Sequence, residues 1–453
     1  MIVGGAVVAS IIIGSFLQYW FFKFKREGEK ILINDGVLKK NYRVIQFDRI
    51  QNINILQPLY FKPFELVTLQ IETAGAKGNE ADLAGISVSF AEYLRNEIMQ
   101  NKGDNTDSDL ESDEQYSDKV QVVATASLID LVKYGISSNG IFWFFIFLAP
   151  LIGMADDLLP KIVSKEELQQ FVLLLGGGVL GDILVILVVS LSVILLMLGF
   201  SVVGAILRYY NYSLILTAQR EKVHTLKRTS GLLTRYEESL KLQKIQSMVN
   251  QTNFIGRWLD VEHITLGQVS SGQNNNKNKK SLFIVPSSNG EKTKEIASLI
   301  FDDVPSHVET SGINFRYVAK TIIFKLFLPT LILSLILFVN IGNYWIFTSP
   351  FLLSLVMLPL IIRRWKCYRY GMENGYAQFK RGLFGYRNIL FPLYKVQRAE
   401  VRQSPFQRRR NLATLKIYLA SDSIQMQYIP IKDANRWLKI IGQEIELTKQ
   451  AWY

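Results

Sequence analysis

Five apolar runs divide the chain into stretches of membrane length and stretches of mixed character. Residues 1–22 carry no charge and suffice to cross about 30 Å of hydrocarbon. A second run, 141–155, begins around Gly135, and a third covers 171–207. At about 1.5 Å per residue the third exceeds one crossing. The span is therefore expected near 183–207, with 171–181 as an interfacial or re-entrant lead-in. The runs 321–340 and 344–362 are separated only by Ile341, Gly342 and Asn343, which predicts a transmembrane hairpin.

The stretches between the runs repeat one phrase. It reads GVLKKNYRVIQFDRIQ from Gly36, GLLTRYEESLKLQKIQ from Gly231 and GLFGYRNILFPLYKVQ from Gly382. Each Gly is followed 14 residues later by Ile50, Ile245 or Val396, and then by Gln51, Gln246 or Gln397. A further Gln (Gln57, Gln251, Gln403) and an aromatic (Tyr60, Phe254, Phe406) follow, the second copy being one residue shorter there. Positions around Ile45 and Phe47, Leu69 and Ile71, and Leu415, Ile417 and Leu419 alternate apolar with polar, as half-buried strands do. The Gly stands where two strands should turn.

Each copy then closes on a helical pattern. In the first, Ser89 and Glu92 predict a capping box ahead of Tyr93, Leu94 and Ile98. In the third, Asp433 precedes Trp437, Leu438, Ile441 and Ile445, while 291–300 in the second has the weakest cap. Six or seven short strands and one helix describe a small β-barrel or sandwich plugged at one end.

The triple phrase beside a transmembrane hairpin resembles the bacterial pleckstrin-homology-like (PH-like) membrane proteins of the YdbS/YdbT type, over nearly the whole chain. The threefold arrangement is closest to the YdbT-like members. The resemblance implies a PH-like fold, a seven-stranded bent β-sandwich with a C-terminal helix. It implies no established activity, catalytic residue or agreed ligand. Relatives usually enter the first domain from a two-span hairpin, where this chain has a single apolar run.

The expected fold class is thus a mixed membrane protein, with about five transmembrane α-helices carrying three cytoplasmic PH-like domains. The expected boundaries are a span at 1–22, domain 1 at 23–100, and an acidic linker with pre-membrane segment at 101–134. A transmembrane pair follows at 135–207, then domain 2 at 208–312, a hairpin at 313–362 and domain 3 at 363–453.

Charge orients these parts. The chain of 453 residues holds 51 Lys and Arg against 39 Asp and Glu, net +12. Segments 23–133, 208–320 and 363–453 contain 14, 16 and 18 of the basic residues. The positive-inside rule then places the N-terminus outside and the C-terminus and all three domains in the cytoplasm of a bacterial cell. Residues 1–22 are not a signal peptide, because no basic n-region precedes them and Lys23, Lys25 and Arg26 follow. A single cysteine, Cys367, excludes a disulfide scaffold. Twenty-seven Phe, 20 Tyr and 7 Trp exclude a disordered chain.

Candidate chemistry is sparse. His224, His263 and His307 share no metal-ligand spacing, and HExxH, G-x-S-x-G and the phosphate-loop motif are absent from the sequence. Gly176, Gly178 and Gly181 satisfy G-x-G-x-x-G inside an apolar segment, where close helix packing explains them better than a nucleotide. The expectation is therefore no catalytic residue, no metal, no cofactor and no small-molecule substrate. Asp182 is the one acid within an apolar run, either an intramembrane polar site for proton or cation handling or the mark of the outer interface.

The third domain is the basic one, with 18 Lys and Arg against 6 Asp and Glu. Its charge gathers at Arg363, Arg364, Lys366 and Arg369 beside the last span, and at Arg408, Arg409 and Arg410. The second cluster, with Lys62 of the first copy, is a candidate contact for phospholipid headgroups. A solvated or protein-contacting loop is the alternative. Residues 101–118 carry seven acids and one Lys, and read as a solvated linker or a strip that docks on domain 3. Residues 271–280 read as an extended hairpin loop.

Three functions remain open. The first is a non-enzymatic scaffold that self-associates or binds another membrane protein, in envelope maintenance or resistance to membrane-active compounds. The second is recognition of anionic membrane lipids. The third is transport past Asp182. Nucleic acid is an unsuitable partner, because the strongest charge lies within a few residues of a bilayer.

Overall fold

The computed structural model describes residues 20–37, 39–73, 81–101, 119–138, 178–219, 223–268, 283–305, 308–341 and 344–447, with single positions at 14, 16, 17, 170 and 173. The first copy opens with β1 (Lys23–Glu27), β2 (Lys30–Asp35) and β3 (Asn41–Gln46), an antiparallel sheet in that order. A single 3-10 turn, Phe47–Arg49, leads to β4 (Ile50–Pro58), β5 (Leu66–Thr73) and β6 (Ala81–Ser87), then to α1 (Val88–Asn101). Alternation on β5 sends Val67, Leu69 and Ile71 inward, where they meet Ile31, Ile33 and Ile45 of the first sheet. Helix α1 lays Ala91, Leu94 and Ile98 on the same core, the spacing of one helical face. Its cap is Ser87, whose Oγ accepts from Phe90 N at 3.3 Å. The box expected from Ser89 and Glu92 is displaced because β6 runs directly into the helix.

Next come β7 (Lys119–Thr125), α2 (Leu128–Ser137) and α3 (Gly178–Tyr209). Strand and helix occupy ground expected to be linker and pre-membrane segment. The alternation in KVQVVAT and the reciprocal Ser127/Asp130 capping box account for them. Helix α2 lies against α3, where Ser201 Oγ donates to the Gly135 carbonyl at 2.6 Å.

The second copy contributes β8 (Ser213–Gln219), β9 (Val223–Ser230) and β10 (Thr234–Lys241), followed by β11 (Ile245–Thr252), α4 (Phe254–Trp258), β12 (Glu262–Gln268), β13 (Phe283–Ser288) and α5 (Gly290–Ile300). Asn289 caps α5 by accepting from Lys292 N at 2.9 Å, so the cap expected to be weakest is a side-chain cap after all. After β14 (Ser311–Gly312) come α6 (Arg316–Thr321), a π-helical stretch (Ile322–Phe327), α7 (Leu328–Ile341) and α8 (Tyr344–Lys366). The third copy is β15 (Arg369–Glu373), β16 (Tyr376–Gly382), β17 (Tyr386–Pro392), β18 (Val396–Arg402), α9 (Pro405–Arg408), β19 (Leu412–Leu419), β20 (Ser423–Pro430) and α10 (Ile431–Leu447). Its core joins Phe379 and Phe391 of the first sheet to Leu415, Ile417 and Met426 of the second, with Trp437 and Ile441 of α10 closing one end.

The compact units do not follow the repeats. One holds residues 1–121, 215–240 and 270–278, and the other holds 122–214, 241–269 and 279–453. The division falls inside the second copy, between its two sheets. In the first unit the strand order is β6-β5-β4-β10-β9-β8, so the second sheet of copy 1 and the first sheet of copy 2 are one sheet. In the other unit the order is β13-β12-β11-β17-β16-β15-β14, which fuses copies 2 and 3 in the same manner.

Two helical stretches among the described residues are long and apolar enough to cross a membrane, Ser190–Tyr209 and Arg316–Asn340. The expected count of about five is not reached there. Residues 141–155 lie outside the described residues, as do most of 1–22, and 344–366 is helical.

Candidate functional site

The repeated phrase occupies the places where copies meet. A Cβ on Gly36, Gly231 or Gly382 would run into the carbonyl three residues on, of Lys39, Thr234 and Gly385 respectively. Gly36 and Gly231 also adopt φ of +101° and +112°, which side chains avoid. Ile50, Ile245 and Val396 are buried at the start of each second sheet. Gln246 is fully buried, whereas Gln397 is exposed; the side chain of Gln51 lies outside the described residues.

The two junctions share one register. Ile55 pairs with Glu237, and Asn250 pairs with Asn388. Ile55 and Asn250 both lie 19 residues after the Gly of their own copy, and Glu237 and Asn388 both lie 6 residues after theirs. Strand β4 therefore meets β10 as β11 meets β17.

Polar side chains reinforce each junction. In the first, Glu237 receives Arg95 from α1 and Lys227 from β9, the latter at 2.6 Å. Burial pushes the Glu237 carboxyl up, and the hydrogen bonds from Lys227 and Arg95 outweigh it, leaving the group below its usual range. Lys62 Nζ donates to the Leu232 carbonyl at 2.6 Å, in the turn after Gly231. In the second, buried Lys395 donates to the Gln243 carbonyl, and Tyr386 donates to Glu262. Arg363, at the end of α8, donates to the Leu383 carbonyl at 2.9 Å and lies 5.4 Å from the centre of the Phe384 ring. Phe384 in turn meets Phe254 of α4 at 6.1 Å.

An aromatic and basic loop follows β4, β11 and β18. Leu59, Tyr60 and Phe64 flank Lys62 in the first copy, and Phe254 and Trp258 flank Arg257 in the second. In the third, Phe406 precedes Arg408, Arg409 and Arg410, and all four are exposed. Aromatic rings beside cations suit the water side of a lipid interface. Lys62 and the three Arg belong to different compact units, and Lys62 is occupied by Leu232. The sequence phrase located these loops, but the exposure of Trp258 (83%) and Phe64 had no counterpart in the pattern.

Asp182 falls within α3, and its side chain is outside the described residues, as are Gly176 and His307. Burial pushes the His263 imidazole down to about 4, beside the Tyr134 ring at 5.7 Å. Among the described residues no three His, Cys, Asp or Glu side chains gather as metal ligands. The residues 102–118 and 271–280 also lie outside the described residues.

Comparison with known proteins returns the same threefold pattern. The family described as "Bacterial PH domain" matches residues 1–102, 171–298 and 319–445. The UPF0699 transmembrane protein YdbT of Bacillus subtilis (strain 168) is 23% identical over 468 aligned residues, covering 99% of this chain and 88% of the relative. The UPF0699 transmembrane protein YdbS of the same strain is 25% identical over 108 residues, covering 24% of this chain and 65% of the relative.

Proposed function

Because the chain belongs to the bacterial PH domain family, we propose that it is a non-enzymatic membrane scaffold whose three PH-like copies stand at the cytoplasmic face. In this reading five spans hold the domains, with the N-terminus outside and the C-terminus inside. The carrying observation is that neighbouring copies are joined through shared sheets in one repeated register. Copies paired strand to strand in this way present backbone edges and loops, which suits assembly more than turnover of a substrate. Envelope maintenance or resistance to membrane-active compounds is the fitting context. Affinity purification of the intact protein from membranes, read by mass spectrometry, tests the proposal. Recovery of specific membrane partners or of the protein's own copies supports it, and recovery of neither refutes it.

A second reading is recognition of anionic headgroups by the third copy. It is favoured by Phe406 and three neighbouring Arg, all exposed on one loop. Near an anionic leaflet each such charge adds about 1 kcal/mol of attraction. The full-length protein in nanodiscs should retain phosphatidylglycerol over phosphatidylcholine. Replacing Arg408, Arg409 and Arg410 by Gln should remove that preference, and an unchanged preference refutes the reading.

A further inference from the structure

Among the described residues the junctions leave one strand of each matching kind unused. Strands β4 and β11 each receive the first sheet of the next copy, but their counterpart β18 ends the order β18-β19-β20. Strands β10 and β17 each receive the second sheet of the preceding copy, but their counterpart β3 ends the order β1-β2-β3. A free edge offers a row of backbone donors and acceptors to any strand that fits it.

Side chains on the two edges carry the marks of an uncovered junction. Tyr42 and Val44 of β3 are 71% and 57% exposed, whereas Glu237 and Ser239, which hold the same positions on β10, are 8% exposed each. Gln397 and Arg398 of β18 are exposed, whereas Gln246 and Ser247, their counterparts on β11, are buried.

Carrying the shared register over to these edges sets Val401 opposite Tyr42, Ala399 opposite Val44 and Glu400 opposite Arg43. Two pairs are apolar and the third is of opposite charge, the combinations that stabilise directly opposed residues on paired strands. Arg43 holds Asp35 at 2.6 Å, and Glu400 holds Arg402 at 2.7 Å, so both charges stand ready on the edges without being alone.

We propose that β18 of one copy of this chain adds to β3 of a second copy, in the register of the two internal junctions. The proposal rests on the scaffold reading and names the partner. The contact is heterologous, each chain using one edge to give and another to receive, so copies extend as a row or close as a ring.

Disulfide trapping in membranes tests it. In a Cys367→Ser background, one tagged full-length form carries Val401→Cys and a differently tagged form carries Tyr42→Cys. Mild oxidation should yield a product bearing both tags. Val401→Cys with Arg43→Cys, one residue out of register and on the other face, should yield little. A second pair of variants keeps the test independent of disulfide geometry, read as co-purification of the two tags. Val44→Lys with Ala399→Lys should lower the two-tag complex by about five-fold per opposed pair, and Val44→Glu with Ala399→Lys should restore it.

Absence of a two-tag product, equal trapping in both registers, or no restoration by the charge swap overturns the proposal. Trapping of a different protein at Val401→Cys also overturns it, since the partner is then not a second copy. Failure here is separable from failure of the scaffold reading. Specific partners recovered by affinity purification while copies stay apart would leave that reading standing.

Discussion

Replacing Glu237 with Gln removes the one anion on which Arg95 and Lys227 converge, between α1 of the first copy and the first sheet of the second. Arg95 and Glu237 retain 13% and 10% side-chain exposure, and Lys227 retains 32%. A hydrogen bond to a charged group contributes about 1.5–3 kcal/mol. Removing one partner of a fully buried pair costs about 3–5 kcal/mol. Partial exposure of Lys227 lowers the latter, so Glu237→Gln should cost about 2–3 kcal/mol. In a body of 150–250 residues this amounts to a Tm lower by about 5–10 °C.

The pH dependence separates charge from packing. The folded carboxyl lies below the unfolded value of 4.5. Its contribution is therefore present in full above that value and is lost as pH falls through the folded one. Thermal unfolding of full-length protein in nanodiscs, followed by circular dichroism and protease resistance, should show a constant gap between wild type and Glu237→Gln at neutral pH. That gap should close under acid. Equal melting at neutral pH refutes the account, and so does a gap that persists unchanged in acid.

Further expectations concern the remaining structure. Gly231→Ala should destabilise by about 1–3 kcal/mol, since positive φ and the Thr234 carbonyl both oppose a side chain; thermal unfolding checks it. Trp437→Ala should cost about 3–5 kcal/mol, because that ring is buried between α10 and the third core. Loss of protease resistance in the third copy ahead of the first would show it. Burial pushes the Lys395 ammonium down to about 8. Its folded state then binds fewer protons than the unfolded state from there up to about 10.5, so stability rises with pH across that window. Lys395→Met should flatten that rise in a pH series of melting curves.

Much of a single copy was legible in the pattern. Period-two alternation marked β5 and β19, and Trp437 and Ile441 marked the inward face of α10, because burial on one face imposes those spacings on any chain. The Gly of the repeated phrase was read as a turn, and its collision with the carbonyl three residues on gives the reason. What escaped was pairing between copies. Strand β10 reads TRYEESLK, polar enough for a solvated edge, yet Glu237 and Ser239 are buried against a neighbouring strand. Hydrophobic periodicity reports which face meets a core, while sheet fusion is made by backbone groups that every residue carries. The headgroup candidates were separated for a related reason. Lys62 and Arg408 occupy equivalent loops, but a contact with the next copy's Gly turn engages Lys62 and leaves Arg408 exposed.

The shared register also bears on copy number. The second and third repeats accept the one before them through β10 and β17, and the first and second offer themselves to the one after through β4 and β11. Adding or deleting a whole repeat in frame would thus create no strand pairing that the chain does not already use. The junction chemistry imposes no stopping point of its own.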